Sequence, residues 1–167
     1  DAQAVDVEAG AALDGSIGED HSPEVHLIPV VLQAALGQRE KVQVFGSDYP
    51  TADGSCIRDY VHVEDLAEAH LAAIEQVREG QAEALNVGTG RGHSVFEVIA
   101  EARRVSGQDI RVETSPRRPG DPPELYADAT RIRARLGWQA RHTGLATIME
   151  SAWRWHGTHP HGFGRAR

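Results

Sequence analysis

The sequence predicts an α/β fold, because helical and strand patterns alternate along its 167 residues. Apolar residues recur at helical spacing in four segments, residues 23–36, 65–78, 94–105 and 144–155. Short apolar or alternating runs separate them and favour strands, at residues 42–45, 56–63, 84–87 and 110–114. Hydrophobic residues make up 40% of the chain and charged residues 25%, the composition of an ordinary globular domain.

The first predicted helix follows an N-terminal segment, residues 1–21, that shows little periodicity and is expected to be irregular. Ser22 is a suitable N-cap, and Pro23 fits the first helical position because its missing N–H has no partner there. Gly37 is placed to end this helix. Residues 42–45 then alternate as a strand does, and a long turn at residues 47–55 precedes the next strand.

The later helices carry clear end signals. Ser94 and Glu97 have the spacing of a capping box and open a helix to about Val105. Asp128 is the expected N-cap of a short helix that ends at Gly137. Thr143 or Gly144 starts the final helix, whose predicted apolar stripe is Leu145, Ile148, Met149, Ala152 and Trp153.

Composition excludes several classes of function. A net charge of −8 argues against a nucleic-acid partner. No apolar run approaches the roughly 20 residues of a membrane span, so no membrane association is expected. The single cysteine, Cys56, cannot form a disulfide within the chain, which favours a reducing, cytoplasmic setting. Residues 1–20 lack the basic start of a signal peptide, and Asp1 in place of Met indicates a piece of a longer protein.

One arginine, Arg58, stands in the run Val44–His70, which should otherwise be largely buried. A buried charge without a partner is unfavourable, so Arg58 needs an anion. A structural ion pair with Asp59 is one interpretation. Phosphate is the other, since the planar guanidinium fork suits its oxygens.

A second basic segment, P-R-R-P-G-D at residues 116–121, combines two arginines with a stiff backbone. It is either a solvated surface turn or an anion-binding loop.

Two further motifs are expected to be structural. The glycine loop at residues 87–94 has His93 where a dinucleotide fingerprint needs glycine, and no acidic residue ends a second strand about 20 residues on. We therefore expect no cofactor phosphate there. His156, His159 and His161 are closely spaced, but no carboxylate follows usefully and Pro160 distorts the segment, so no metal is expected.

The run Val44–His70 closely resembles the substrate-binding segment of UDP-glucose 4-epimerases, which are extended short-chain dehydrogenases/reductases. The likeness extends through residues 116–121 to Gly162-Phe163 and covers roughly Ala9 to Phe163. It is to the C-terminal half of such an enzyme. It implies an incomplete nucleotide-binding (Rossmann-like) sheet plus a small mixed α/β substrate-binding domain, with residues 22–167 as the substrate-binding part.

The resemblance implies a site for a UDP-sugar. Arg58 and Arg118 would bind its diphosphate, and Asp121 would accept from a ribose or sugar hydroxyl. Residues 26–27 would pack near the uridine, and residues 43–45 would wall the uracil pocket. The expected substrate-binding residues are His26, Leu27, Gln43, Val44, Phe45, Arg58, Arg118 and Asp121.

The catalytic apparatus of the resembled enzymes is not found in this sequence. Their reaction uses NAD as a hydride carrier and needs a tyrosine with a lysine four residues later. The pairs at that spacing here are Tyr49–Asp53, Tyr60–Glu64 and Tyr126–Thr130. No catalytic residue and no cofactor-binding residue is therefore predicted, NAD is assigned to the missing half, and the chain alone is expected to be inactive.

Two alternatives to an epimerase half stay open. One is a catalytically inactive nucleotide-sugar-binding or interaction module. The other is a fragment of a related nucleotide-sugar decarboxylase or dehydratase, over which the loop at residues 48–54 favours the epimerase. The resemblance also implies a homodimer for the full-length protein.

Overall fold

Five helices and seven short strands alternate along residues 8–76, 78 and 82–164, the part of the chain that the computed structural model describes. The helices are α1 (Leu27–Ala35), α2 (Val63–Gln76), α3 (Val95–Ser106), α4 (Thr130–Leu136) and α5 (Leu145–Thr158). The strands are β1 (Glu8–Ala9), β2 (Val42–Phe45), β3 (Ile57–Arg58), β4 (Val61–His62), β5 (His93–Ser94), β6 (Val112–Ser115) and β7 (Glu124–Leu125). The α/β class is confirmed. Within the described residues, no helix combines the length and apolarity needed to cross a bilayer.

The strands form three small sheets. β2 and β6 are parallel, with Val42 opposite Val112 and Phe45 opposite Ser115. β3 lies between antiparallel β5 and parallel β7, which makes a mixed sheet. β1 pairs in parallel with β4, so the segment expected to be irregular contributes one strand. Residues 1–7 of that segment lie outside the described part.

The main core lies where α1, α3 and α5 pack together beside β2. Its fully buried side chains include Val31, Leu32, Val98, Ile148 and Met149. The stripe predicted on the last helix supplies Ile148, Met149 and Ala152, while Trp153 is only partly buried and Trp155 is the buried tryptophan of this helix. A second cluster is formed by Ala69, Ile132, Trp138 and Ala140.

Helix α1 begins four residues later than the sequence predicts. His26 is the N-cap residue, with extended backbone, and Leu27 is the first helical residue. Glu24 explains the delay, because its Oε1 accepts hydrogen bonds from the backbone N–H groups of Val25 and His26, both at 2.8 Å. Pro29 takes the first-turn place expected for Pro23, where a missing N–H is tolerated.

The strand expected at residues 84–87 is not formed. Residues 82–89 have no strand pairing, and Leu85 and Val87 instead pack against the second cluster. A strand needs a hydrogen-bonding neighbour, and none of the described residues supplies one here. The strand expected over residues 56–63 is broken into β3 and β4, and α2 begins at Val63. The predicted stop of α2 at Gly80 lies outside the described residues.

Two helix ends predicted from local signals are confirmed, the start of α3 and the end of α4, whereas the predicted N-cap of α4 is wrong by one residue. Ser94 Oγ accepts from Glu97 N at 3.0 Å, and Glu97 Oε2 accepts from Ser94 N at 2.8 Å, which completes the capping box of α3. Gly137 ends α4 with a φ of 66°. Asp128 lies one residue before the N-cap of α4, and its Oδ1 accepts from Thr130 N at 2.9 Å.

Buried Asp59 holds the glycine loop in place. Its Oδ1 accepts from the backbone N–H of Thr89 at 3.0 Å, and its Oδ2 accepts from that of Gly90 at 2.9 Å. The Ala127 N–H lies 3.4 Å from the same Oδ2. The loop's amides therefore point inward to a carboxylate of the chain, which gives the loop the structural role that the sequence predicts.

Gly88 is expected to be indispensable to this packing. A Cβ at position 88 would overlap Ala127 and lie 2.8 Å from Asp59 Oδ2. We expect Gly88→Ala to lower the free energy of unfolding by about 1–3 kcal/mol, as overpacking typically does.

Gly157→Ala is the matched control for that variant, because position 157 lies inside α5 and has no atom within 4 Å of an added Cβ. It should be neutral or stabilising, by up to about 1 kcal/mol. Urea unfolding of the two variants measures both effects. Equal changes in the two would contradict the role given to Asp59 and its loop.

Candidate functional site

An open cavity of about 580 Å³ lies beside the start of α1 and the strand β2. All eight of the predicted substrate-binding residues line it: His26, Leu27, Gln43, Val44, Phe45, Arg58, Arg118 and Asp121. They come from four separate stretches of sequence, so the fold brings them together.

Strand β2 forms one wall by alternating its side chains. Val42 and Val44 point into the core, whereas Gln43 is exposed. The Gln43 amide donates to Ser115 Oγ at 2.8 Å, which fixes its position relative to β6. Phe45, the last residue of β2, is half-buried at the cavity wall.

The anionic partner of Arg58 is a residue of this chain, Asp121. Its guanidinium donates to a carboxylate oxygen of Asp121, to the Ile57 carbonyl at 2.7 Å and to the Pro122 carbonyl at 3.1 Å. Only 12% of the Arg58 side chain is exposed. The pair with neighbouring Asp59 considered from the sequence is not formed, because Asp59 accepts from the glycine loop. Arg58 therefore ties the loop at residues 116–123 to β3.

The two arginines of that loop are held differently. The Arg118 guanidinium carbon lies 3.9 Å from the centre of the Phe45 ring, a cation–π contact. Among the described residues, no carboxylate is paired with Arg118. Arg117 lies outside the cavity, where it covers the Tyr49 ring at 4.3 Å and pairs with Asp48 at 2.7 Å. Within the described part of the chain, Arg118 is thus the arginine of the cavity whose guanidinium makes neither an ion pair nor a hydrogen bond.

Sequence reasoning missed several residues that line the cavity, notably Arg39, Lys41, Cys56 and Tyr60. The alternation of β2 could have revealed Lys41, because it shares the exposed face of Gln43 two residues away. Lys41 forms an ion pair with Glu113. Arg39 donates to the Glu24 carbonyl at 3.0 Å and has no comparable sequence signal.

The tyrosines are poorly suited to act as bases near neutral pH. Burial raises the pKa of Tyr49 and of Tyr60 above the ordinary value. The pKa of Tyr126 is raised as well, by partial desolvation and by neighbouring Glu124. Burial also raises the pKa of the Cys56 thiol. A catalytic base that acts near neutral pH needs a lowered pKa, and the pKa values of these four groups are raised.

Residues 15–151 match the family model described as GDP-mannose 4,6 dehydratase. This chain belongs to that family. The match spans α1 to the first half of α5 and therefore includes every cavity residue named above. It agrees with the expected resemblance to extended short-chain dehydrogenases/reductases.

Among curated proteins, relatives of this family member are named UDP-glucose 4-epimerase. One from Halalkalibacterium halodurans is 56% identical over 156 residues, which is 93% of this chain and 47% of the relative. One from Streptomyces lividans is 49% identical over 143 residues, 86% of this chain and 43% of the relative. The expected resemblance is confirmed, and the chain spans about half the length of the curated relatives it matches.

Solved structures give the same result. A UDP-glucose 4-epimerase crystal structure superimposes with a TM-score of 0.89 at 48% identity, covering 95% of this chain and 48% of that one. The enzyme from Bifidobacterium longum, in complex with NAD+ and UDP, has a TM-score of 0.87 at 39% identity and covers 93% of this chain and 47% of its own. The fold is therefore a partial epimerase fold.

The half-buried Arg58–Asp121 pair should stabilise the fold measurably. In a double-mutant cycle with Arg58→Ala and Asp121→Ala, we expect a coupling energy of about 1–3 kcal/mol in urea unfolding, because the charged hydrogen bond is largely shielded from water.

The exposed pair Arg111–Glu40 is the control for that cycle, with side chains 66% and 75% exposed. Its coupling should fall at the low end of what exposed pairs give, about 0–1 kcal/mol. Coupling energies that are the same for the two pairs would show that Arg58 does not anchor the loop as described.

Proposed function

We propose that this chain forms the UDP-sugar-binding part of a UDP-glucose 4-epimerase, the enzyme that interconverts UDP-glucose and UDP-galactose at C4. The observation that carries the proposal is the convergence of all eight predicted residues on one cavity. The names of the relatives supply the substrate class. The proposal assigns the whole enzyme to galactose metabolism in the cytoplasm, as a homodimer, by resemblance.

The diphosphate would lie between Arg118 and Arg58. Arg118 is the stronger candidate for direct contact, because its guanidinium has no carboxylate partner among the described residues and is oriented by Phe45. A guanidinium offers two parallel N–H donors to phosphate oxygens. Arg58 adds positive charge at the cavity wall, although its hydrogen bonds already hold Asp121 and two carbonyls.

The uridine would lie against α1 and β2. The exposed edge of Gln43 and the ring of Phe45 provide polar and apolar contacts for a base, and His26 and Leu27 close the other side. Asp121 binds Arg58 through Oδ1. Its Oδ2 has no hydrogen bond among the described residues and would accept from a ribose or sugar hydroxyl.

NAD is assigned to the whole enzyme rather than to this chain. Some related structures contain NAD. The described residues do not fit it, since the loop that most resembles a phosphate cradle turns its amides to Asp59. No step of the epimerisation is therefore derived from the residues present.

A catalytically inactive UDP-sugar-binding module is the second candidate. The raised tyrosine pKa values and the absence of a Tyr–Lys pair in the sequence favour it for the chain on its own. The two candidates share the cavity and differ only in whether a further polypeptide completes the reaction.

Arg118→Ala should weaken UDP binding about 10- to 150-fold, because a charge-assisted contact to phosphate is worth about 1.5–3 kcal/mol. Isothermal titration calorimetry of the chain with UDP measures the change. Arg111→Ala removes the same charge from an exposed position outside the cavity and should leave the affinity nearly unchanged. Equal losses in the two variants, or no UDP binding by the unaltered chain, would contradict the proposed site.

The chain on its own should show no conversion of UDP-glucose to UDP-galactose when NAD is added. The reason is that none of its tyrosines is followed four residues later by lysine, and all three tyrosine pKa values are raised. A coupled assay for UDP-galactose makes the measurement. Turnover above that of Tyr60→Phe would show that a tyrosine of this chain does serve as the acid–base group.

A further inference from the structure

Two histidines and two glutamates converge just before α1, in the sequence E-D-H-S-P-E-V-H. The ligand-capable atoms of Glu19, His21, Glu24 and His26 all lie within 4.8 Å of one another. Among the described residues they are the one group of three or more such side chains that meets this condition. The cluster does not include His156, His159 or His161, for which the sequence analysis expected no metal.

The shortest contacts centre on His26. Its Nδ1 lies 2.7 Å from Glu19 Oε1 and 3.0 Å from Glu24 Oε1. The Nδ1 atom is buried, yet its N–H direction satisfies neither oxygen as a well-aligned hydrogen bond. The His21 ring lies close by, with its centre 5.3 Å from that of His26. Three metal-ligand atoms thus lie close together, with a fourth in reach. Glu24 Oε1 is held by the Val25 and His26 amides, but the buried His26 Nδ1 has no hydrogen-bond partner among the described residues.

The charge of the cluster also favours a cation. Glu19 and Glu24 contribute two carboxylates whose ligand atoms lie within 4.8 Å of each other. Asp20 is a further acidic residue next to the cluster in the sequence. A bound divalent cation would neutralise the two carboxylates.

We propose that Glu19, His21, Glu24 and His26 form a binding site for a divalent transition-metal ion of the zinc type. Zn²⁺ takes imidazole nitrogen and carboxylate oxygen at about 2.0–2.2 Å in a tetrahedral arrangement. Such ligand atoms lie about 3.3 Å apart, so side-chain movements of about 1 Å would form the site. The two imidazole nitrogens favour Zn²⁺ or Co²⁺ over Ca²⁺ and Mg²⁺, which prefer ligand sets made of oxygen alone.

The proposal goes beyond the proposed function and does not depend on it. Glu24 and His26 also line the cavity, so the metal would lie at its edge and fix the start of α1. The site shares His26 with the proposed UDP-sugar site, and titration with Zn²⁺ in the absence of UDP measures the metal site separately.

The test is calorimetric titration of the chelator-treated chain with Zn²⁺, repeated optically with Co²⁺, whose visible absorption reports the coordination geometry. We expect one equivalent to bind. His21→Ala and Glu19→Gln should each reduce the affinity at least about tenfold, since even indirect partners of metal ligands cost about 10–100-fold when altered. Both side chains are at least partly exposed, so the fold should survive, and circular dichroism melts verify this.

His70→Ala is the matched control, because His70 is exposed on α2 and hydrogen-bonds only to the Leu66 carbonyl. It should bind Zn²⁺ as the unaltered chain does. The proposal is overturned if the unaltered chain binds no Zn²⁺, if both cluster variants retain full affinity, or if binding is lost with His159→Ala instead.

Discussion

Two adjacent charged side chains, Arg58 and Asp59, each hold a separate loop against the short strand β3. Arg58 binds Asp121 and the Pro122 carbonyl, which places the basic loop at the cavity. Asp59 accepts from the amides of Thr89 and Gly90, which places the glycine loop on the opposite side. Because both charges are mostly shielded from water, each requires its partner. The position of Arg118, and with it the shape of the proposed diphosphate site, depends on this arrangement.

The cavity also shows how an acidic chain can present a basic site. Four cations line it, Arg39, Lys41, Arg58 and Arg118, in a chain of net charge −8. Three of them are engaged: Lys41 with Glu113, Arg58 with Asp121, and Arg39 with the Glu24 carbonyl and Gln33. Arg118 instead stacks on an aromatic ring. An incoming diphosphate would therefore meet one guanidinium that no carboxylate of the described residues holds.

Several helix ends could be predicted from the sequence because they depend on local chemistry. The capping box of Ser94 and Glu97 and the stop at Gly137 involve residues within one turn, so reading them needs no tertiary information. The strand predicted at residues 84–87 is not formed, because strand pairing depends on a neighbour that is distant in sequence. The predicted start of α1 was wrong because Glu24 accepts hydrogen bonds from two backbone amides ahead of the helix. The likeness to a family predicted the cavity residues, but the partner of Arg58 and the cluster around His26 depend on side-chain packing that spacing does not encode.

The most direct test of the central claim is an NMR titration of the isotopically labelled chain with UDP. The account predicts that backbone amide shifts change mainly at residues 26–27, 43–45 and 116–121, which meet only at the cavity. The glycine loop at residues 87–94 should remain unperturbed, because its amides at Thr89 and Gly90 bind Asp59. Shifts centred on that loop, or none at saturating UDP, would contradict the assignment of the cavity as the UDP-sugar site.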